Sequence, residues 1–140
     1  MKPYIFIVDD SKNDRILCKY ILGEFERDYE ILDFPRAADA LNAYEEKKDL
    51  VVVITDLHMP GMDGLEFAKK LRDEGYKGVV VLRTSAVMKR GNEIVGVRRE
   101  RGYEDVLVGP EELRKMGVDE IVEKPGTKEL PEVLKKYIQP

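Results

Sequence analysis

Short apolar runs alternate along this chain with segments whose apolar residues recur every three or four positions. The runs are rich in Val and Ile, and such residues without polar alternation are typical of strands that are buried on both faces. They predict five strands, at Tyr4–Val8, Tyr29–Phe34, Leu50–Ile54, Val79–Leu82 and Asp119–Glu123.

The segments between these runs have the spacing of amphipathic helices. Ser11 and Asp14 have the character of a helix N-terminus, and Glu111–Met116 has the character of the end of a helix, with Gly117 past its C-terminus. The apolar faces of the other four helices are Ile16, Leu17, Tyr20 and Ile21; Ala37, Ala40, Leu41 and Tyr44; Leu65, Ala68 and Leu71; and Leu130, Val133, Leu134, Tyr137 and Ile138. Strands that alternate with helices predict an α/β fold with a parallel sheet covered on both faces.

The segment 87–109 interrupts this alternation. Residues 88–103 contain three glycines and five basic residues with little helical period. We therefore predict an extended loop between the fourth and fifth strands, inserted in a single domain that spans residues 1–140. A loop of this length in a compact domain is uncommon and is usually functional or mobile.

Composition narrows the class of protein. The 140 residues are 43% hydrophobic and 37% charged, with a formal net charge of −4, which gives no reason to expect direct nucleic-acid binding. No apolar run approaches the roughly 20 residues that span a bilayer, so we expect no membrane association and a cytoplasmic protein. Cys18 is the only cysteine, which excludes an intrachain disulfide.

Polar residues follow the predicted strands where ligands bind in open α/β sheets, beyond the strand carboxyl ends. Asp9 and Asp10 follow the first strand, Asp56 the third, Thr84 and Ser85 the fourth, and Lys124 the last. Clustered carboxylates repel one another unless a cation is present, and oxygen ligands suit a hard divalent ion such as Mg²⁺. With Lys124 and a hydroxyl nearby, Asp56 has the surroundings of a nucleophile that accepts a phosphoryl group.

The chain resembles the receiver domain of two-component response regulators. The matching stretches are IVDDS at 7–11, ITDLHMPGMDG at 54–64, VVVLRTSA at 79–86 and EKP at 123–125. The resemblance implies a flavodoxin-like doubly wound sheet of five strands and phosphorylation of Asp56 by a partner histidine kinase or phosphotransfer protein. It also implies a Lys124–Pro125 bond in the cis form, as well as Mg²⁺ held by Asp9, Asp10, Asp56 and the main-chain carbonyl of His58. Lys124 and a hydroxyl from the fourth strand would contact the phosphoryl group.

The sequence departs from the family in several places. The hydroxyl is Thr84 or Ser85, with Thr84 favoured by its spacing from Val79, and Arg83 before it is expected to reach the surface. Ile121 stands where many receivers have an aromatic residue. The 87–109 segment falls where a helix of the output surface usually begins, so we hypothesise that it replaces or remodels that surface.

Three functions remain open. The first is a signalling module that is not an enzyme beyond its own phosphorylation and dephosphorylation, and that acts on an unknown downstream protein. The second is a Mg²⁺-dependent phosphatase or phosphotransferase with an aspartyl intermediate, although His58 stands where such enzymes need a second acid. The third is a pseudo-receiver scaffold that is never phosphorylated. Because the chain ends soon after the last helix, we expect either a stand-alone receiver or an excised domain.

Overall fold

The computed structural model describes residues 1–140, which form eight strands and five α-helices. In chain order these are β1 Tyr4–Val8, α1 Lys12–Ile21, β2 Glu30–Phe34, α2 Ala37–Glu46, β3 Leu50–Thr55, α3 Gly64–Asp73, β4 Val79–Thr84, β5 Val87–Arg90, β6 Glu93–Arg101, β7 Glu104–Val108, α4 Pro110–Lys115, β8 Glu120–Glu123 and α5 Glu129–Leu134. A 3₁₀ turn at Gly23–Phe25 follows α1. No helix combines the length and the apolar character that crossing a bilayer requires.

Five of the strands form one parallel sheet in the order β2-β1-β3-β4-β8. These are the five strands predicted from the apolar runs, so the doubly wound α/β fold is confirmed. From β1 the chain runs to β2 on one side, and it then crosses back to form β3 on the other side of β1. The carboxyl ends of β1 and β3 therefore flank the point where the winding reverses, which is where such sheets bind ligands.

Alternate residues of each strand enter separate cores on the two faces of the sheet. Phe6 and Val8 of β1 pack with α2, α3 and α4, whereas Ile5 and Ile7 pack with α1 and α5. The period of two along a strand directs apolar residues to both faces, and this explains why the strands read as continuous apolar runs.

The prediction of an extended loop over 87–109 is wrong, because β5, β6 and β7 form a three-stranded antiparallel sheet in that segment. These three strands are called the inserted sheet. Its Val97 and Val108 lie in the core that also contains α3 and α4. These strands are difficult to recognise in the sequence for two reasons. Their exposed face is charged, and Gly96 interrupts the apolar pattern at the point where the β5–β6 register shifts.

Two smaller expectations also need correction. The final helix ends at Leu134, and Tyr137 and Ile138 lie beyond it in a turn that bonds back to the Leu134 carbonyl. Helix ends commonly tighten in this way. Arg83 does not reach the surface: it is 2% exposed, and its Nε donates to the carbonyl of Pro125 at 3.0 Å. Arg83 is buried because helices cover both faces of the sheet around β4, and a backbone carbonyl inside the fold accepts its hydrogen bond.

Candidate functional site

Three carboxylates meet at the carboxyl edge of the parallel sheet. Asp9 and Asp10 follow β1, Asp56 follows β3, and these strands are hydrogen-bonded neighbours. One oxygen from each carboxylate lies within 4.8 Å of the others. Asp9 is buried, Asp56 is half-buried and Asp10 is exposed, so the cluster opens to solvent on one side. The structure therefore brings together the three acids that the sequence predicted at this edge.

Lys124, just after β8, occupies the centre of a ring of acids. Its ammonium nitrogen lies 2.9 Å from Asp9 Oδ2, 2.9 Å from Asp56 Oδ2 and 2.8 Å from Asp14 Oδ2. The Lys124 N–H donates to the carbonyl of Thr84, which ties the end of β8 to the end of β4. The following Lys124–Pro125 bond is cis, as the resemblance implied.

The electrostatics of this ring follow from burial and hydrogen bonding. Burial raises the pKa of Asp9, and the Asp56 charge adds to that rise, while the Ser11 N–H and the Lys124 ammonium oppose it. Burial alone would lower the pKa of Lys124, but hydrogen bonds to Asp14, Asp56 and Asp9 outweigh it and raise that pKa. The hydrogen bond from Lys124 also lowers the pKa of Asp14. Lys124 is therefore held as an ammonium ion.

The loop after Asp56 is shaped by close backbone contacts. Asp56 Oδ1 accepts from the Leu57 N–H at 2.7 Å, and the Gly64 N–H donates to the Leu57 carbonyl at 2.8 Å. A Cβ at Gly64 would lie 2.2 Å from the Asp56 carbonyl oxygen, so only glycine fits at the start of α3. The Asp63 carboxylate caps α3 by accepting from the Leu65 and Glu66 N–H groups. The Gly-rich stretch thus lets helix and loop pack tightly behind Asp56.

Both candidate hydroxyls lie beside the same pocket, which has a volume of about 210 Å³. Thr84 is buried and its Oγ1 accepts from the Ala86 N–H at 3.2 Å, whereas Ser85 is exposed. The remaining walls are Asp56, His58, Ala86, Arg98 and Lys124. The geometry gives Thr84 a fixed position and leaves Ser85 free of a hydrogen-bond partner among the protein's own groups.

Two buried nitrogen atoms near this edge have no hydrogen-bond partner, namely His58 Nε2 and Arg83 Nη2. Such groups are uncommon in folded proteins because desolvation without a partner is costly. The charge of Arg83 contributes to the lowered pKa of Asp14. Arg83 therefore adds buried positive charge close to the acidic ring.

Sequence reasoning missed two members of the site. It assigned Asp14 to the start of α1, and the Asp14 N–H does donate to the capping Ser11 Oγ at 3.2 Å, but the Asp14 carboxylate also binds Lys124. It counted Arg98 only among the basic residues of the predicted loop, although Arg98 lines the pocket beside Asp56. The spacing of Asp14 from Ser11 predicts a helix cap but not the contact with Lys124, which is 110 residues away in the sequence. Only the fold of the inserted sheet brings Arg98 here.

The arrangement holds three carboxylates, Asp9, Asp14 and Asp56, around one ammonium, and Asp10 adds a fourth carboxylate beside Asp9 and Asp56. This excess of negative charge favours a divalent cation, and the clustered oxygens of Asp9, Asp10 and Asp56 suit a hard one. A carboxylate beside a cation site, a lysine and a hydroxyl has the groups that phosphoryl transfer requires.

Comparison with known proteins agrees with this geometry. The family model for the response regulator receiver domain matches residues 5–116 of the sequence. The chemotaxis protein CheY homolog of Campylobacter jejuni is 30% identical over 136 residues, which cover 96% of this chain and 88% of that protein. The cyclic di-GMP phosphodiesterase response regulator RpfG of Xanthomonas campestris is 32% identical over 114 residues, which cover 80% of this chain but 29% of that protein.

Among solved structures, the response regulator protein TrrA of Thermotoga maritima, in complex with Mg²⁺ and BeF, is 29% identical with a TM-score of 0.70. The alignment covers 99% of this chain and 100% of that one. The family match, the order of the parallel strands and the acids gathered at their carboxyl edge agree, and the chain belongs to the receiver domain family of two-component response regulators.

Proposed function

We propose that this receiver domain accepts a phosphoryl group on Asp56 from a partner histidine kinase or phosphotransfer protein, in a Mg²⁺-dependent reaction. The observation that carries the proposal is the position of the Asp56 carboxylate. Its Oδ1 is held by the Leu57 N–H, and its Oδ2 lies 2.9 Å from the Lys124 ammonium. The acid is thus fixed in orientation, beside a positive charge and facing a pocket that is open to a phosphoryl donor.

The reaction is an exchange of one bond to phosphorus for another. A carboxylate oxygen of Asp56 attacks the phosphorus atom of the phosphohistidine, and the P–N bond breaks with its electron pair remaining on the imidazole nitrogen. The product is an acyl phosphate on Asp56, and water later reverses the modification by displacing the carboxylate. Catalysis of this kind consists mainly of positioning and charge stabilisation.

The residues present fit a magnesium site. Asp9, Asp10 and Asp56 offer oxygen atoms within 4.8 Å of one another on an edge that is open to solvent, which suits an ion that retains water ligands. The His58 carbonyl is proposed as the main-chain ligand. When bound, Mg²⁺ supplies positive charge that offsets the repulsion between the acids and the incoming phosphate.

The protein's own groups take complementary roles. Lys124 stays charged through its three acidic partners and stabilises the phosphoryl oxygens. Thr84 is proposed to donate its hydroxyl, since its Oγ1 is already fixed by the Ala86 N–H, with Ser85 as the alternative donor. The domain then acts by its own phosphorylation and dephosphorylation, without a separate substrate, and its output is contact with a downstream protein.

Incubation with acetyl phosphate and Mg²⁺ tests the proposal. We expect mass spectrometry to show one phosphoryl adduct on the wild type and none on Asp56→Asn. Asp49→Asn, an exposed acid at the opposite end of β3, is the matched control and retains the adduct. Asp10→Asn is expected to weaken Mg²⁺ binding in a direct titration, because it removes an exposed ligand without disturbing the core.

The alternative functions give different outcomes in the same assay. Sustained turnover of varied phosphate esters would identify a phosphatase or phosphotransferase. A wild type that neither forms the adduct nor binds beryllofluoride with Mg²⁺ would identify a scaffold. Either result contradicts the proposal.

We also propose that residues 1–140 act as one receiver domain whose inserted sheet forms part of the output surface. Val97 and Val108 support this because they join the same core as α3 and α4. Amide exchange of β5, β6 and β7 is expected to change on phosphorylation, and unchanged exchange would argue against the role in output.

A further inference from the structure

The pocket beside Asp56 receives one wall from outside the parallel sheet and its loops. That wall is Arg98 of β6, which faces the same space of about 210 Å³ as Asp56, Thr84 and Lys124. We propose that Arg98 is a phosphoryl-binding residue whose guanidinium binds oxygens of the phosphoryl group on Asp56. This inference rests on the proposed function, because it requires that Asp56 be phosphorylated.

The backbone of Arg98 is held firmly against the site. Its N–H donates at 2.8 Å to the carbonyl of Ala86, two residues after Thr84. The residues on either side of it, Val97 and Arg99, are both buried and anchor β6 to the body of the domain. The Cα of Arg98 is therefore fixed at the pocket even though its side chain lies on the exposed face.

The side chain of Arg98, in contrast, is lightly engaged. Its one ion pair joins Nε to Asp105 Oδ2 at 3.5 Å, and the two side chains are 55% and 54% exposed. An exposed pair at that distance contributes little and exchanges readily with water or another anion. The guanidinium is free to leave Asp105 for a more negative partner.

The phosphoryl group has three outer oxygens, and Lys124 and Thr84 alone offer them few free donors. The ammonium of Lys124 has three donors, and Asp9, Asp14 and Asp56 already occupy three positions around it. Thr84 offers one hydroxyl hydrogen. A guanidinium presents a planar fork that matches two phosphate oxygens at once. Arg98 thus complements a site in which the ammonium of Lys124 shares its donors with three carboxylates.

The neighbouring arginines do not compete for this role. Arg99 points to the opposite face of β6, where Asp63 occupies its Nε and Nη2 at 2.8 and 3.2 Å. Arg101, in the same strand and on the exposed surface, does not line the pocket. Arg101 therefore serves as a control with the same charge and the same strand.

The test compares the wild type with Arg98→Gln, Arg98→Lys and Arg101→Gln. Titration with beryllofluoride in saturating Mg²⁺, followed by ¹⁹F NMR, measures affinity for a group whose fluorines stand in for phosphoryl oxygens. We expect Arg98→Gln to bind roughly tenfold more weakly, since a charge-assisted bond is lost. Arg98→Lys recovers part of the affinity, and Arg101→Gln equals the wild type. The ¹⁹F shifts of the bound group change in both Arg98 variants only, a signature that a purely structural role would not produce.

The outcomes separate the inference from the proposed function. Equal affinity and equal ¹⁹F spectra for the wild type and Arg98→Gln would overturn the role of Arg98 and leave phosphorylation of Asp56 intact. Equal weakening by Arg98→Gln and Arg101→Gln would also overturn it, because the effect would then be general charge. Failure of all four proteins to bind would overturn the proposed function and, with it, the inference.

Discussion

The five-stranded parallel sheet lies between two layers of helices, whereas the inserted sheet buries only two valines and one arginine among its side chains. In the parallel sheet, strands such as β4 are buried along almost their whole length. In the inserted sheet, Val106 and Leu107 of β7 are exposed, and β5 is mostly exposed as well.

The difference lies in what attaches each sheet to the molecule. Apolar burial fixes the parallel sheet, while the inserted sheet depends on Val97, Val108 and one buried ion pair. In that pair Arg99 Nε lies 2.8 Å from Asp63 Oδ2, with the two side chains 6% and 15% exposed. Asp63 also caps α3, immediately after the Asp56 loop. Regions with few buried apolar contacts open at lower free energy than the core, so the inserted sheet is the part most ready to move.

The largest effect is expected from Leu82→Ala in β4, matched with Leu107→Ala in β7. Leu82 is fully buried and Leu107 is 56% exposed. Removing a buried leucine side chain costs its transfer free energy and leaves a cavity, so we expect Leu82→Ala to lower the free energy of unfolding by about 2–5 kcal/mol. Leu107→Ala is expected to change it by less than about 0.5 kcal/mol. Urea denaturation followed by circular dichroism measures both.

Equal losses in these two leucine variants would contradict the contrast between the sheets. Such a result would mean that the inserted sheet is covered by another surface in solution. Sedimentation of the wild type would then identify a second copy of the chain as the cover or exclude it.

An intermediate effect is expected from Arg99→Ala, because Asp63 loses its guanidinium partner inside the fold. Removing one member of a fully buried pair costs about 3–5 kcal/mol. Asp63 keeps the Leu65 and Glu66 N–H donors, so we expect about 2–3 kcal/mol here. The loss should appear as faster amide exchange in β5, β6 and β7, with the amides of β1 and β3 little changed.

Arg101→Ala is the control, since Arg101 is an exposed residue of the same strand. Exchange that accelerates equally in both sheets would show that the ion pair stabilises the whole domain rather than the attachment of one part. Exchange that is unchanged in Arg99→Ala would show that the two valines suffice.

Sequence predicted the parallel sheet well because its signal is local. Each buried strand is a continuous apolar run, and each is separated from the next by a helical period. The inserted sheet escaped because an exposed antiparallel strand alternates apolar and polar residues, and the charges of Arg98, Glu100 and Asp105 dominate that pattern. The burial of Arg83 escaped for a related reason: its acceptor is the carbonyl of Pro125, 42 residues away.

The candidate site divides in the same way. Four site residues directly follow strands, namely Asp9, Asp10, Asp56 and Lys124. Because parallel strands end at the same edge of a sheet, the sequence alone predicts that these residues lie close together. Asp14 lies in a helix and Arg98 in the inserted sheet, and each reaches the site through a contact distant in sequence. Local spacing in the sequence therefore identifies the residues that directly follow strands, but it does not identify residues that reach the site through distant contacts.

The smallest effect is expected at an ion pair outside the inserted sheet. Asp33 of β2 accepts from Arg15 Nε at 3.0 Å and from Lys19 at 3.3 Å, but its side chain is 33% exposed. Burial raises the pKa of Asp33, yet the hydrogen bonds from Arg15 and Lys19 outweigh that and lower it. Because solvent screens this group, we expect Asp33→Asn to lower the free energy of unfolding by less than about 1 kcal/mol at pH 7.

The contribution of the Asp33 carboxylate to the free energy of unfolding depends on pH. A carboxyl whose pKa is lowered by folding contributes fully above the unfolded value of about 3.9, and the contribution is lost as pH falls through the folded value. The difference between wild type and Asp33→Asn should therefore hold from pH 7 to about 4 and shrink below it. Asp28→Asn, an exposed acid just before β2, is the control. A difference larger than that of Arg99→Ala would reverse the comparison, because the exposed pair would then stabilise its sheet more than the buried one.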